Sequence, residues 1–202
     1  MEIVQGNLLD AKGERLIAQQ CNCCSAIPHG LSATIAAKYP YASCYARRRG
    51  IGRRNHALPA CRSKPGTIEV DTPPPPPTYT GTPSLPLHPH HPDVAHDDAP
   101  PAVVTVVHLF GQYYMGKPGA WGRPYATKGD PEVPDTPSLR IGWFRDCLGA
   151  TENWMKIHHH TRIAMPYQIG CGLAGGRWSE YSRILQEWAE ATGFQVVLYQ
   201  LV

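Results

Sequence analysis

The chain has 202 residues, of which 42% are hydrophobic and 17% charged, a composition that predicts a folded domain and excludes a disordered polyelectrolyte. It contains no run of about 18 apolar residues and no signal-like N-terminal segment, so we predict neither a membrane span nor secretion. The seven cysteines are an odd number, which excludes a fully paired disulfide framework and favours an intracellular location, cytoplasm or nucleus. The net charge of +3 is too small to indicate a partner.

Prolines are concentrated in one segment of the chain. Residues 71–102 hold 11 of the 21 prolines, four Asp and four His, and no Lys or Arg. Such a composition favours polyproline II structure and buries little apolar surface, so we predict a flexible insertion in a single domain of residues 1–202. Its histidines would have no fixed geometry, and we predict no metal site there. The rest of the chain carries a net charge of +7, which suits an anionic ligand.

The remaining sequence alternates short apolar runs with helical patterns. Strands are predicted at residues 2–5, 16–20, 103–110, 161–165 and 195–202, and the nearly continuous apolar run at 103–110 is typical of a central strand. Helices are predicted at 31–39, at 139–148 with Asp135 or Ser138 as N-cap, and at 179–192 with Gly193 as C-terminal cap. The alternation predicts an α/β sandwich around a largely parallel sheet.

The most informative segment, IAMPYQIGCGLAGGRWSEYSRIL, follows a predicted strand and leads into a predicted helix. Its loop carries Gly170, Gly172, Gly175 and Gly176. Glycines let the backbone approach a ligand and direct successive N–H groups at it, and a helix N-terminus adds a favourable dipole. The segment is therefore typical of a phosphate-binding loop, and a glycine-rich turn without a ligand is the alternative.

The same loop matches the G-x-G-x-x-G pattern of dinucleotide-binding folds. Those folds need an acidic residue about 20 positions further on, at the next strand, to bind the ribose. The next predicted strand, residues 195–202, contains no Asp or Glu. The sequence therefore argues against a Rossmann domain.

Two further segments add to the glycine loop. IVQGNLLD places Gly6 and Asn7 after the first predicted strand, and IAQQCNCCSAIPHGLSATIAAKYP places Asn22 between a strand and a glycine-bearing helix start. Together with the I-G-x-G-x-x-G-x-x-W loop, these motifs resemble the macrodomain family, whose members bind ADP-ribose. The resemblance covers residues 1–54 and 102–202 and implies a three-layer α/β/α fold with a mostly parallel mixed sheet. CNC, AAKYP, LFGQ and VVLYQL resemble the subgroup that contains yeast ADP-ribose-1″-phosphate phosphatase.

The resemblance implies an ADP-ribose site without cofactor or metal, in a chain that we expect to be a monomer. Asn7 and Leu8 would contact the adenine, Asn22 and residues 28–32 would surround the distal ribose, and the glycine loop would wrap the diphosphate. The implied ligand-binding residues are Asn7, Leu8, Asn22, His29, Gly30, Leu31, Ser32, Gln112, Ile169, Gly170, Cys171, Gly172, Leu173, Ala174, Gly175 and Gly176.

The acid–base residues of hydrolytic macrodomains are missing from the matching positions. One type uses a second Asn and an Asp, where this chain has Ser25 and Ser32. Another type uses a Lys and an Asp, where this chain has Gln112 and Ala174. Neither constellation is present.

His29, in PHGLS, stands where many relatives carry glycine. A histidine beside the distal ribose could position water or exchange a proton near neutral pH. We therefore predict that His29, with Asn22, promotes metal-independent hydrolysis at C1″ of the distal ribose. A purely structural role for His29 is the alternative, and Cys23 and Cys24 are further candidate nucleophiles.

Three functions stay open at this stage. The first is a hydrolase of ADP-ribose derivatives, either an ADP-ribose-1″-phosphate phosphatase or a mono-ADP-ribosyl hydrolase. The second is a non-catalytic reader of ADP-ribosylated protein or nucleic acid. The third is an RNA-binding domain, which rests on five arginines that otherwise indicate a solvated face. These are Arg47, Arg48, Arg49, Arg53 and Arg54. The C-x-x-C of Cys21 and Cys24 has no second pair and does not indicate zinc.

Overall fold

A computed structural model describes residues 1–11, 13–75, 103–119 and 133–202. These residues form six strands and three α-helices. The strands are β1 (Glu2–Gln5), β2 (Leu16–Asn22), β3 (Ile68–Asp71), β4 (Thr105–Gln112), β5 (Arg162–Pro166) and β6 (Gln195–Gln200). The helices are α1 (Leu31–Lys38), α2 (Pro137–Ile157) and α3 (Trp178–Thr192). All five predicted strands and all three predicted helices are present. Most ends differ from the prediction by at most two residues, but α2 continues to Ile157, nine residues beyond its predicted end at 148.

The strands form one mixed sheet in the order β1-β6-β5-β2-β4-β3. Every neighbouring pair is parallel except β3 and β4, which are antiparallel. All eight residues of β4 are buried, as its apolar sequence predicts for a strand covered on both faces. The predicted α/β architecture with a mostly parallel sheet is confirmed.

Helices cover both faces of this sheet and complete three layers. Ile35 of α1 packs with Ile17 and Val106 on one face. The other face carries α2 and α3, whose buried side chains include Phe144 and Ile184. Because the side chains of a strand alternate between faces, Leu16 and Ile17 serve opposite cores.

The helix ends partly follow the sequence signals. Gly193 ends α3 in the left-handed conformation, with φ of 72°, as predicted. The N-cap of α2 is Thr136, whose hydroxyl accepts a hydrogen bond from the N–H of Leu139, so the expected caps Asp135 and Ser138 are wrong. Ser138 lies within the first helical turn, and Asp135 instead binds Arg140.

Strand β3 is absent from the sequence prediction. It is a four-residue, half-buried edge strand, so its periodicity is too short to stand out. Asp71, placed in the insertion by the sequence analysis, is the last residue of β3. Residues 76–102 of the predicted insertion lie outside the described residues. Within the described ranges, the helices are all too short or too polar to cross a membrane.

Candidate functional site

A cleft of about 600 Å³ opens at the carboxyl-terminal edge of the sheet, beyond the ends of β2, β4 and β5. Ligands of open α/β sheets bind at this edge. Its walls are the turn before α1 on one side and the loop between β5 and α3 on the other. The lining residues are Gln20, Asn22, Ser25, Ile27, His29, Gly30, Leu31, Ser32, Tyr45, Gln112, Met115, Gly116, Pro166, Tyr167, Gln168, Ile169, Gly170, Gly172, Leu173 and Ala174.

The cleft brings together most of the residues that the sequence analysis selected. The predicted residues that line it are Asn22, His29, Gly30, Leu31, Ser32, Gln112, Ile169, Gly170, Gly172, Leu173 and Ala174. The predicted residues that do not line it are Asn7, Leu8, Cys171, Gly175 and Gly176.

Asn7 follows the edge strand β1, and its side chain caps the short 3-10 turn Leu8–Asp10. Its Oδ1 accepts from the N–H of Leu9 at 3.0 Å, and its Nδ2 donates to Asp10 at 2.9 Å. Leu8 is buried in the core on the α1 side of the sheet. Both residues have local structural roles in this conformation.

Two sets of backbone N–H groups that have no hydrogen-bond partner among the described residues border the cleft. One set, Leu31 and Ser32, lies in the first turn of α1, where a helix has no internal acceptors. The other set is in the loop after β5. The N–H groups of Gly172, Leu173 and Ala174 make no hydrogen bond within the described part of the chain. Successive free N–H groups of this kind form an anion-binding concavity.

The two walls approach each other at Gly30 and Leu173. A Cβ atom added to Gly30 would be 3.9 Å from Cδ1 of Leu173. Gly30 has φ of 55° and precedes α1 directly, a backbone conformation that favours glycine. The turn of α1 and the glycine loop therefore form one continuous rim.

The glycine loop keeps its shape through internal contacts. The N–H of Gly176 donates to the carbonyl oxygen of Gly170 at 3.0 Å, and a side chain on Gly176 would come within 2.6 Å of that oxygen. Tyr181 of α3 packs beneath both glycines. Gly175 and Gly176 therefore close the loop from behind, while residues 172–174 face the cleft.

Asn22 is engaged in shaping the strand-to-loop connection. Its Oδ1 accepts hydrogen bonds from the N–H groups of Cys24 and Ser25, at 3.1 and 2.7 Å. Its Nδ2 and its backbone N–H both donate to the hydroxyl of Tyr45, at 3.4 and 3.1 Å. The side-chain oxygen of Asn22 is thus occupied by backbone N–H groups, and one proton of Nδ2 is occupied by Tyr45. The second proton of Nδ2 is available to a ligand.

The side chains of His29 and Ser32 lie near the N-terminus of α1. His29 is exposed and forms no hydrogen bond within the described residues, so both ring nitrogens are accessible from the cleft. Ser32 is buried, and its hydroxyl donates to Oε1 of Gln19 at 2.8 Å. Because its proton is bound to Gln19, the Ser32 hydroxyl can only accept hydrogen bonds from other partners.

Cys23 and Cys24 are fully buried, which argues against the nucleophilic role considered for them. Burial raises the pKa of the Cys23 thiol, so the reactive thiolate is suppressed. Cys171 in the loop is half-buried, and burial raises its pKa to about 11. Neither Cys23 nor Cys171 has the low-pKa environment of a catalytic cysteine.

Two buried arginines support the cleft and were missed by the sequence analysis as site residues. Arg140 of α2 donates to the carbonyl oxygens of Ala174 and Gly116, at 2.9 and 2.7 Å, and so joins two rim loops. Arg48 donates to the carbonyl oxygens of Asn22 and Ser25, at 3.0 and 2.8 Å. No local pattern distinguishes these arginines from exposed ones, because their acceptors are distant in sequence.

The arginine cluster is divided in the structure, which corrects its prediction as one solvated face. Arg48 is buried and stacks over the rings of Tyr45 and Phe110. Arg47 forms ion pairs with Glu69 and Asp71 of β3. Arg53 and Arg54 are exposed. The side chain of Arg49 contacts the Cys61 thiol, so three of the five arginines have partners within the chain, and the basis for an RNA-binding surface is reduced.

No protein-family model and no curated protein matches this chain. Among solved structures, it is similar to the macrodomain of Thermus aquaticus DarG over 98% of this chain and 96% of that one, with 16% identity and a TM-score of 0.55. The macrodomain of Mycobacterium tuberculosis DarG is similar over 98% and 95%, with 14% identity and a TM-score of 0.57. A protein of unknown function from Bacteroides thetaiotaomicron is similar over 99% and 98%, with 19% identity and a TM-score of 0.52. The chain therefore has the macrodomain fold.

Proposed function

We propose that this protein binds ADP-ribose in the cleft at the carboxyl edge of the sheet. The observation that carries the proposal is the pair of unpaired N–H sets on the two walls, at Leu31 and Ser32 and at residues 172–174. Two donor sets separated by a narrow cleft suit a diphosphate, whose two phosphoryl groups each need several hydrogen bonds. The macrodomain fold and the sequence motifs support this ligand over other diphosphates.

The distal ribose would lie between His29 and Asn22, beyond the start of α1. The adenosine would extend toward β1 and β6, where Asn7 would contact the adenine. In the structure, Asn7 already uses one Oδ1 lone pair to accept from Leu9 and one Nδ2 proton to donate to Asp10. It would therefore contribute its remaining N–H and lone pair.

We further propose that the protein hydrolyses an ADP-ribose derivative at C1″. In this reaction a water oxygen bonds to C1″, the bond from C1″ to the leaving group breaks, and the leaving group takes a proton. His29 is exposed and lines the cleft, and a histidine side chain can act as a general acid or base for that proton. Asn22 would orient the ribose through its free amide proton. The resemblance to the yeast-type subgroup makes ADP-ribose-1″-phosphate the first substrate to test, followed by mono-ADP-ribosylated protein.

A non-catalytic reader of ADP-ribosylated protein or nucleic acid is the second candidate. It is favoured by the serines at positions 25 and 32, which supply no carboxylate, and by the engagement of the Asn22 oxygen with the loop backbone. Both candidates require ADP-ribose binding, and turnover separates them.

A calorimetric titration with ADP-ribose tests the shared part of the proposal, with NAD and AMP as comparison ligands. We expect saturable micromolar binding of ADP-ribose and weaker binding of both comparison ligands. Absence of ADP-ribose binding would refute the proposed function. Phosphate release from ADP-ribose-1″-phosphate then distinguishes the hydrolase from the reader.

A further inference from the structure

Two cysteines and a histidine meet in the core behind the cleft, outside the proposed ADP-ribose site. Cys21 is on β2, Cys44 is in the segment after α1, and His108 is on the central strand β4. All three are buried, with at most 1% of their surface exposed. The Sγ atoms of the two cysteines are 3.8 Å apart, and Nδ1 of His108 is 3.9 Å from Sγ of Cys21.

These spacings match those of ligands around one metal ion. Two thiolates at about 2.3 Å from a tetrahedral zinc ion are about 3.8 Å apart. The three ligand atoms all lie within 4.8 Å of one another, so small rotations of the Cys44 side chain would close the remaining edge. The sheet register explains part of this arrangement, because Gln19 pairs with His108 and Cys21 is two residues along the same face of β2.

The histidine is oriented as metal-bound histidines are. Its Nε2 is 2.9 Å from a carboxylate oxygen of Asp71 on β3. Its Nδ1 is 3.0 Å from the carboxamide of Gln19, so this side chain lies next to the metal-facing side of the ring. Because a carboxylate only accepts hydrogen bonds, Nε2 carries a proton that faces Asp71, and Nδ1 lies on the side of Cys21, 3.9 Å from its Sγ atom. A carboxylate that holds the outer ring nitrogen is the recurring support of histidine ligands.

The charges of the cluster favour a divalent ion. Two thiolates and one divalent cation sum to zero, so the loaded site would avoid the cost of a buried net charge. Asp71 is itself paired with Arg47, whose Nη1 lies 2.9 and 3.0 Å from the two carboxylate oxygens.

We propose that Cys21, Cys44 and His108 form a structural zinc site, with the carboxamide oxygen of Gln19 as the fourth ligand. A half-turn of the Gln19 amide exchanges its nitrogen and oxygen, which places Oε1 beside Nδ1 of His108. The turned amide would then donate to the Ser32 hydroxyl. The ion would join β2, β4 and the segment that carries Tyr45, and so stabilise the back wall of the cleft.

Metal titration of the full chain tests the site independently of ADP-ribose. The purified protein is stripped with a chelator and titrated with zinc against a chromophoric competitor, and in parallel with cobalt(II). We expect one zinc ion per chain. We also expect cobalt(II) to produce the d–d bands of a tetrahedral site and a thiolate-to-metal charge-transfer band.

Variants assign the ligands. Cys44→Ser should abolish the charge-transfer intensity of one thiolate and weaken zinc binding strongly. Asp71→Asn should weaken zinc binding by roughly 10- to 100-fold, because it changes the support of His108 and not a ligand. Cys61→Ser is the matched control, since Cys61 lies outside the cluster. It should bind zinc like the unmodified chain.

Three results would overturn the proposal. The first is binding of less than one zinc ion per unmodified chain. The second is a cobalt(II) complex without thiolate-to-metal charge-transfer bands. The third is an equal loss of zinc affinity in Cys61→Ser and Cys44→Ser. If Cys44→Ser fails to fold, the spectrum of the unmodified chain and the affinity of Asp71→Asn still decide the question. ADP-ribose titrations of the stripped protein separate this result from the proposed function.

Discussion

The guanidinium of Arg140 donates a hydrogen bond from Nη1 to the carbonyl oxygen of Ala174, 2.9 Å away, and so holds the glycine loop from beneath. The charge of Arg140 is balanced by Asp135, whose Oδ1 is 2.5 Å from Nε. Both side chains are almost completely buried, at 3% and 2% exposure. A buried ion pair between Arg140 of α2 and the residue before its N-cap is thus part of the structure that shapes the cleft.

Arg140→Leu should lower the free energy of unfolding by about 3–5 kcal/mol, because it leaves the Asp135 carboxylate buried without its partner. Denaturant unfolding measures the change. Arg145→Leu is the control on the same helix. Its ion pair with Glu187 is exposed and should contribute at most about 1 kcal/mol. Equal losses for the two variants would contradict the role assigned to Arg140.

Gly172→Val should abolish ADP-ribose binding while leaving the fold intact. A Cβ atom on Gly172 meets no atom within 4 Å, so the valine side chain would occupy the space of the proposed diphosphate. Calorimetry measures the affinity and thermal unfolding verifies the fold. Gly142→Val, at an equally open position on α2, should bind ADP-ribose normally. Unchanged affinity of Gly172→Val would place the ligand elsewhere.

His29→Ala should lower kcat for ADP-ribose-1″-phosphate by roughly 10²- to 10⁴-fold, because a positioned acid–base group is lost. His29→Gln keeps hydrogen-bonding capacity but cannot titrate, and it should show the same loss. ADP-ribose affinity should change much less in both variants. Turnover that survives in both would eliminate His29 as the proton donor and leave its role structural.

Cys61 should be the most rapidly alkylated cysteine of the chain near neutral pH. Hydrogen bonds from the backbone and side chain of Arg49 lower the pKa of the Cys61 thiol, so a larger fraction is thiolate at a given pH. Cys171 is also partly exposed, but burial raises its pKa. Mass spectrometry of partly alkylated protein measures the order. Arg49→Leu should slow alkylation of Cys61, and an unchanged rate would refute the assigned cause.

Gly142→Ala should raise the free energy of unfolding by about 0.5–1 kcal/mol. Gly142 lies inside α2, is exposed, and has open space where a methyl group would be placed. The alanine reduces the conformational entropy that folding must overcome. Denaturant unfolding measures the gain, and a loss of stability would show that a neighbour constrains this position.

The sequence predicted those elements whose signal is local. The apolar run of β4 is eight residues long, and the amphipathic pattern of α3 continues over 15 residues. Both patterns are long enough to be recognised, so both elements were predicted with nearly correct ends. Strand β3 was missed because four half-buried residues carry too short a pattern. The N-cap of α2 was missed by one residue, since Thr136 stands among other capping residues.

The cleft was predicted as a set of segments rather than as a geometry. The family resemblance implied that residues 28–32 and the glycine loop contact the same ligand, and the structure brings both segments to one edge of the sheet. Which N–H groups remain unpaired was not predictable. The N–H groups of Gly175 and Gly176 form hydrogen bonds within the loop, whereas the N–H groups of residues 172–174 form none within the described part of the chain.

By itself, the sequence determined the order of five of the six strands and of the three helices, the glycine positions of the rim and the placement of His29 at a helix start. These depend on neighbours a few residues apart, which a single chain displays directly. Only the tertiary structure decided that Arg48 and Arg140 are buried supports, and that Cys21 meets His108 across 87 residues. Such contacts depend on which distant segments the packed sheet brings together, and side-chain burial and partner geometry arise only after that packing.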